Sequence, residues 1–162
     1  MKTLHLLRHA KSDWEDGALG DHERPLAPRG IKAARRLAEH LENAPLEVGL
    51  VLCSTAKRTR ETLELILPAL GKVEVRFEDD LYGAEAGELE ARLRRLPRKV
   101  GAVLVVGHNP GLEELASLLL GPRGPGHLPT GALASLRFPT DDWGSIRAVA
   151  AEPIGFVTPK EL

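Results

Sequence analysis

Two histidines and two arginines stand out by type and by place. Arg8 and His9 end the apolar run of "LHLLRHAKSDW", Arg58 lies in "CSTAKRTRET", and His108 follows the apolar run of "AVLVVGHNPGL". Such a set suits phosphoryl transfer. A transferring phosphoryl group spreads negative charge over three equatorial oxygens, and planar guanidinium groups clamp such oxygens in pairs. A neutral histidine held in line can attack phosphorus and carry the group until water removes it, which divides one slow step into two easier ones. Arg8 and Arg58 nearby would disfavour the protonated imidazole. The second histidine can donate a hydrogen bond to a phosphoryl oxygen, where it is most useful as charge develops in the transition state. Asn109 before Pro110 reads as an N-cap with proline at the first helical position, so the positive end of a helix would also face the anion.

These residues need a scaffold that brings them together, and the sequence supplies one. "TLHLLRHA", "VGLVLCSTAKRTRETLELILPAL" and "AVLVVGHNPGLEELASLLL" each combine an apolar run, a polar junction and, for the last two, helical periodicity, so each reads as strand, loop and helix. Between the first two, Ile31, Ala34, Leu37, Ala38 and Leu41 recur at helical spacing behind Pro28 and Gly30, which makes a crossover helix. The helix after Cys53 buries a stripe from Ala56 to Leu70, carries Arg58, Glu61 and Thr62 on its polar face, and stops at Gly71. "KVEVRF" reads as a third strand. An acidic turn and a helix through Leu89, Leu93 and Leu96 follow it, ending at Pro97. "ALASLRF" and "SIRAVAAEP" read as two last strands joined as a hairpin through "PTDDWG". Alternating strands and helices specify an α/β three-layer sandwich, a mostly parallel central sheet with helices on both faces, in one domain over residues 1–162. In such sheets ligands bind beyond the carboxyl ends of the strands. Arg8, His9, Arg58 and His108 all follow strands, so they should converge there.

Composition narrows the partners. The 162 residues carry 22 Lys and Arg against 23 Asp and Glu, a formal net charge of -1, so no global positive field recruits nucleic acid or anionic lipid. No stretch approaches a membrane span or a signal peptide. With Cys53 the single cysteine there is no internal disulfide, and a cytoplasmic, reducing location is expected. Cys53 as a phosphatase nucleophile is a poor reading, because a cysteine phosphate loop puts five residues between Cys and Arg, and Arg58 comes one residue early. No metal is expected either, since no HExxH or comparable spacing occurs and the arginines would repel a divalent cation. No cofactor is expected. His5, His22, His40 and His127 read as structural or solvated, and Arg60 as part of a solvated helix face with Glu64. Arg24 in "DHERP" is open to two readings, a substrate-facing loop or a surface turn tied by Asp21 or Glu23.

Taken in order, "LLRHAKS", "CSTAKRTRET" and "VVGHNPGL" resemble the histidine phosphatase superfamily, also called the phosphoglycerate mutase-like family, over nearly the whole chain. Within it the chain is most similar to the short SixA-type phosphohistidine phosphatases, in "RHAKSDW", "RPLAPRG", "LY" and "GHNPGLE". The resemblance implies that His9 is the nucleophile, that Arg8, Arg58 and His108 surround the phosphoryl group, and that Ser12 lines the pocket. Asn109 is added as a substrate-binding candidate. Ala10 and Glu15 depart from the family's usual glycine and asparagine. A family glutamate acid has its counterpart, counted back from Gly83, at Asp79, which is the candidate general acid. Because an imidazole leaves with less help than an alkoxide, the resemblance favours phosphohistidine on a protein as substrate. The alternatives are a small phosphorylated metabolite, or a non-catalytic module that binds a phosphorylated partner.

Overall fold

Side chains alternate between two cores with a period of two along the central strands, so that one sheet carries two apolar faces. In β1 (Lys2–Arg8), Leu4 and Leu6 face one core while Leu7 faces the other. In β2 (Leu50–Ser54) and β4 (Ala102–Gly107) the same rule separates Leu50, Leu52, Val103 and Val105 from Val51, Cys53, Leu104 and Val106. Strands buried on both faces are near-continuous apolar runs, as parallel strands covered by helices should be. The computed structural model describes residues 1–162, apart from the side chain of Ala148.

The remaining strands are β3 (Glu74–Glu78), β5 (Leu133–Phe138) and β6 (Glu152–Val157), and the sheet order is β3-β2-β4-β1-β5-β6. The first four are parallel to their neighbours, whereas β5 runs antiparallel to β1 and β6 antiparallel to β5. Helices α1 (Pro28–Asn43) and α2 (Lys57–Ile66) cover one face through Leu37, Leu41, Leu63 and Ile66. Helices α3 (Ala86–Arg94) and α4 (Gly111–Leu120) cover the other through Leu89, Leu93, Leu112 and Leu115. The result is the three-layer α/β sandwich that the alternation of elements specified, with β1 flanked by β4 and β5.

One element differs from expectation. "SIRAVAAEP" is not a strand: residues Trp143–Ala148 form a 3₁₀ helix, and β6 begins only at Glu152. The Asp142 carboxylate accepts from the Gly144 amide at 3.0 Å and starts the turn, which buries Trp143 and Ile146, three residues apart, on the face of α3 and α4. The Trp143 indole donates to the Val100 carbonyl at 2.7 Å. Tertiary burial of the large ring thus outweighs local strand pattern. β5 and β6 pair as expected, but across this excursion instead of a tight hairpin.

Candidate active site

Three strand ends deliver the site. Arg8 ends β1 and His9 follows it, Ser54 ends β2, and His108 follows Gly107 at the end of β4. The loop after β1 is clamped from several sides. The His9 amide donates to the Gly107 carbonyl at 3.1 Å, and Gly131 donates to the carbonyls of both Arg8 and His9. The Ala10 amide donates to Thr62 Oγ1 at 3.0 Å, while Thr62 donates to the Arg58 carbonyl at 2.7 Å. Gly30 lets α1 press on this loop, because a Cβ there would stand 2.1 Å from the Lys11 carbonyl oxygen. The first turn of α2 faces inward: Arg58 and Thr62, expected on a polar face, are 6% and 1% exposed. Arg60, two residues on and on the opposite side of α2, is exposed and donates to the Thr55 carbonyl instead of pairing with Glu64.

Hydrogen bonds hold both imidazoles and fix the tautomer of His9. His9 Nδ1 lies 2.7 Å from the Ala10 carbonyl, which can only accept, so Nδ1 carries the proton and Nε2 presents its lone pair. His108 Nε2 lies 2.8 Å from Ser54 Oγ. That oxygen accepts from the Ala56 amide and keeps a second lone pair and its own proton, so it can serve either tautomer of His108; when it donates to Nε2, Nδ1 carries the imidazole proton. The two rings are 5.4 Å apart between centroids. Burial, followed by the charges of Arg58, Arg8 and Arg24, pushes His9 down to about 4, against a bond to Ala10 that works the other way. Burial and then Arg58 push His108 down to about 3. Both rings are neutral at neutral pH. Arg8 Nε, Arg58 Nε and His108 Nδ1 are buried side-chain nitrogens without a hydrogen-bond partner among the described residues. Buried polar groups are rarely left so, and such a cluster beyond the strand ends can receive an anion's oxygens.

A second layer holds the arginines. The Arg58 guanidinium donates to the Asp21 carbonyl at 2.7 Å and to its carboxylate at 3.0 Å. The same carboxylate accepts from Arg24 and from the Tyr82 hydroxyl, contacts that hold its pKa down at about 2. The Tyr82 ring stands edge-on to His108, with centroids 5.6 Å apart, and His22 packs on its other side. Asp21, Tyr82 and Ser54 contact the candidate residues Arg58 and His108 and were not assigned by sequence reasoning. "LY" flagged Tyr82 only as a motif, and nothing in "GDHERP" shows that Asp21 reaches α2.

The remaining candidates stand as follows. Ser12 is buried and accepts from Arg24 Nη1 at 2.7 Å, and Arg24 is tied to Asp21, as one of its two readings expected. Asn109 donates to the Leu128 carbonyl at 2.8 Å and accepts from the Glu113 amide at 3.2 Å. Helix α4 begins at Gly111 with Pro110 as its cap residue, one position later than expected, because Asn109 caps from outside the first turn. Asp79 is exposed at the rim, and its carboxylate accepts from Thr55 Oγ1 at 2.6 Å. Cys53 is fully buried and its thiol is pushed up to about 12 by burial, which removes the thiolate a nucleophile needs. No cluster of three or more His, Cys, Asp or Glu able to hold a metal occurs among the described residues. Among the described residues no helix is long and apolar enough to cross a membrane.

The sequence pattern of the histidine phosphatase superfamily (branch 1) matches residues 4–105. The chain belongs to this superfamily. It is an enzyme of the histidine phosphatase type, and its fold is that of the SixA group. A SixA protein of Nakamurella multipartitia superposes with a TM-score of 0.84 at 31% identity, covering 98% of this chain and 96% of that one. A SixA protein of Agrobacterium tumefaciens gives 0.84 at 26% identity, covering 98% of each chain. The Mycobacterium tuberculosis protein Rv1276c is 36% identical over 166 residues, covering 95% of this chain and all of its own length. The superfamily match runs from β1 through β4 and so contains Arg8, His9 and Arg58, while His108 lies three residues beyond its end.

Proposed function

We propose that this histidine phosphatase removes the phosphoryl group from phosphohistidine on a protein, with His9 as the nucleophile. The observation that carries this is the Ala10 carbonyl on His9 Nδ1, which leaves Nε2 unprotonated beside three unpartnered nitrogens. Nε2 attacks phosphorus and forms a P–N bond. The P–N bond to the substrate imidazole breaks, and that ring takes a proton from solvent. Arg8 and Arg58 hold the phosphoryl oxygens, and His108 Nδ1–H donates to one of them as charge builds. Water then attacks phosphorus, the bond to His9 breaks, and inorganic phosphate leaves. Ser12 orients Arg24 as a further cation, and Asn109 keeps the 124–130 loop beside Arg8 through Leu128, whose carbonyl also accepts from Arg8.

Three features support a phosphoramidate over a phosphate ester. Asp79 is engaged with Thr55 at the rim, Asp21 is locked as a carboxylate among Arg58, Arg24 and Tyr82, and the SixA proteins share the fold over the full chain. A strongly acidic carboxylate is a poor proton donor to an alkoxide, whereas a departing imidazole needs less help. The test is a side-by-side assay of a phosphohistidine peptide, a small phosphomonoester and an aryl phosphate, together with trapping of the phosphoenzyme. The expected result is a higher kcat/KM for the peptide and an acid-labile, alkali-stable adduct on His9. Phosphomonoesters cleaved faster by a wide margin would make this a small-molecule phosphatase. A pocket that binds phosphopeptide without turnover would make it a binding module.

A further inference from the structure

A groove of about 800 Å³ opens next to the nucleophile loop, between α1, residues 129–130 and the 3₁₀ helix Pro159–Glu161. Its charged lining has one sign. Lys11, Arg29, Lys32, Arg36 and Lys160 line it, and His127 stands at its edge. In a chain with 22 basic and 23 acidic side chains, five cations without a lining carboxylate are charge segregation and not an overall excess. Among the described residues none of the five lies in an ion pair. The acids next to the groove are engaged: Glu113 accepts from His127 and the Leu128 amide, and Glu161 from Thr158. Arg29, Lys32 and Arg36 fall on one stripe of α1, where an ordinary solvated face would interleave the two signs at these spacings.

The groove is part of the same packed unit as His9. Lys11 is two residues away, and its carbonyl accepts from the Ala27 amide at 2.9 Å, which fixes it to the start of α1. Gly131, whose amide holds the Arg8 and His9 carbonyls, lies against Pro159 of the groove wall so tightly that a Cβ would stand 2.9 Å from its ring. A small phosphorylated molecule held by Arg8, Arg58 and His108 has no use for five further cations beyond the phosphate site. A protein surface carrying the phosphoryl group does, and its charge must be negative.

We infer that this groove docks an acidic surface of the phosphoprotein substrate, alongside the phosphohistidine that enters the site. The inference rests on the protein-phosphohistidine reading above. Exposed charge pairs are individually weak, but several together raise the rate of encounter and set orientation.

The test uses two phosphohistidine peptides with flanks of about ten residues, each residue spanning roughly 3.3 Å when extended, one flanked by Glu and the other by Gln. An aryl phosphate serves as the small substrate. The enzymes are the wild type, the R29E/K32E/R36E variant and the milder R29Q/K32Q/R36Q variant, all altered at exposed positions outside the catalytic cluster. The wild type should cleave the Glu-flanked peptide with a kcat/KM about tenfold above the Gln-flanked one at low ionic strength, through KM, with the advantage shrinking at about 0.5 M salt. Both variants should lose that advantage while aryl phosphate turnover stays unchanged. Equal cleavage of the two peptides by the wild type, or an advantage retained in the variants, overturns the docking assignment and leaves the phosphohistidine reading standing. Cleavage of the aryl phosphate with neither peptide touched overturns that reading and the docking assignment with it.

Discussion

At the residue scale, the Ala10 carbonyl sets the tautomer of His9, and burial followed by the surrounding cations sets when the imidazoles work. Because His9 is held near 4 in place of its ordinary 6.5, its Nε2 lone pair persists far into acid. The acid limb of kcat/KM on an aryl phosphate should therefore fall near pH 4, and Arg8→Gln should move it upward by removing one of the charges that oppose protonation. A limb at the ordinary histidine pH in the wild type would show that His9 is not the group titrating. Arg58 and Arg60, two apart on α2, make a paired test: Arg58→Ala should cost roughly 10²–10³-fold in kcat, and Arg60→Ala far less, since it is exposed and bonds only the Thr55 carbonyl. Equal losses would put the wrong face of α2 toward the phosphoryl group. Arg8, His9, Arg58 and His108 could be picked out from sequence because each sits just past an apolar run. Asp21 could not, since its partners Arg58 and Tyr82 are 37 and 61 residues away and such a contact leaves no periodicity.

At the element scale, strands and helices were legible wherever burial imposes a period. Thus α1 and α2 follow the helical spacing of their apolar residues and the central parallel strands their continuous apolar runs, and α2 stops at the 3₁₀ turn before Gly71, whose φ is 71°. Residues 143–148 were not legible, because Ile146 and its small neighbours fit a strand equally well until Trp143 finds its place against α3. Close backbone approach is also silent in sequence. Gly30 shows what it does: a Cβ 2.1 Å from the Lys11 carbonyl forces α1 and the loop apart, and that loop carries His9. Gly30→Ala should lower the urea midpoint by an amount corresponding to about 1–3 kcal/mol and reduce activity together with it. Gly87→Ala in α3, where a Cβ meets nothing within 4 Å, should instead hold or raise stability by up to about 1 kcal/mol, as helix propensity dictates. Destabilisation by Gly87→Ala as large as that of Gly30→Ala would mean that backbone crowding is not the cause at position 30.

At the scale of the whole molecule, the arrangement that makes the site reactive makes the fold sensitive to acid. His5, His9 and His108 are all held below the ordinary histidine value, in each case chiefly by burial. His5 spans the sheet to the 44–49 loop, bonding Ser135 and the Glu47 carbonyl, so the effect is not confined to the active site. A group with a depressed folded pKa is neutral in the folded state while the unfolded chain already binds a proton. Stability therefore falls as pH drops through the unfolded value near 6.5, and the loss is complete once pH passes below the folded value. For His9, 7% exposed, the interval from 6.5 to about 4 corresponds to about 3 kcal/mol at one pKa unit per 1.4 kcal/mol. Asp21 acts in the same direction at lower pH: its contribution is lost as pH falls from the ordinary carboxylate value of 3.8 through about 2, where protonation removes its hold on Arg58 and Arg24. Urea midpoints measured from pH 7 to pH 4 should thus fall steadily in the wild type. They should fall less steeply in His9→Gln, so that the variant gains on the wild type as the solution is acidified even though it has lost its nucleophile. Parallel curves for the two proteins would show that His9 keeps its ordinary affinity for protons in the fold, and the acid limb of activity would then have to be assigned to another group.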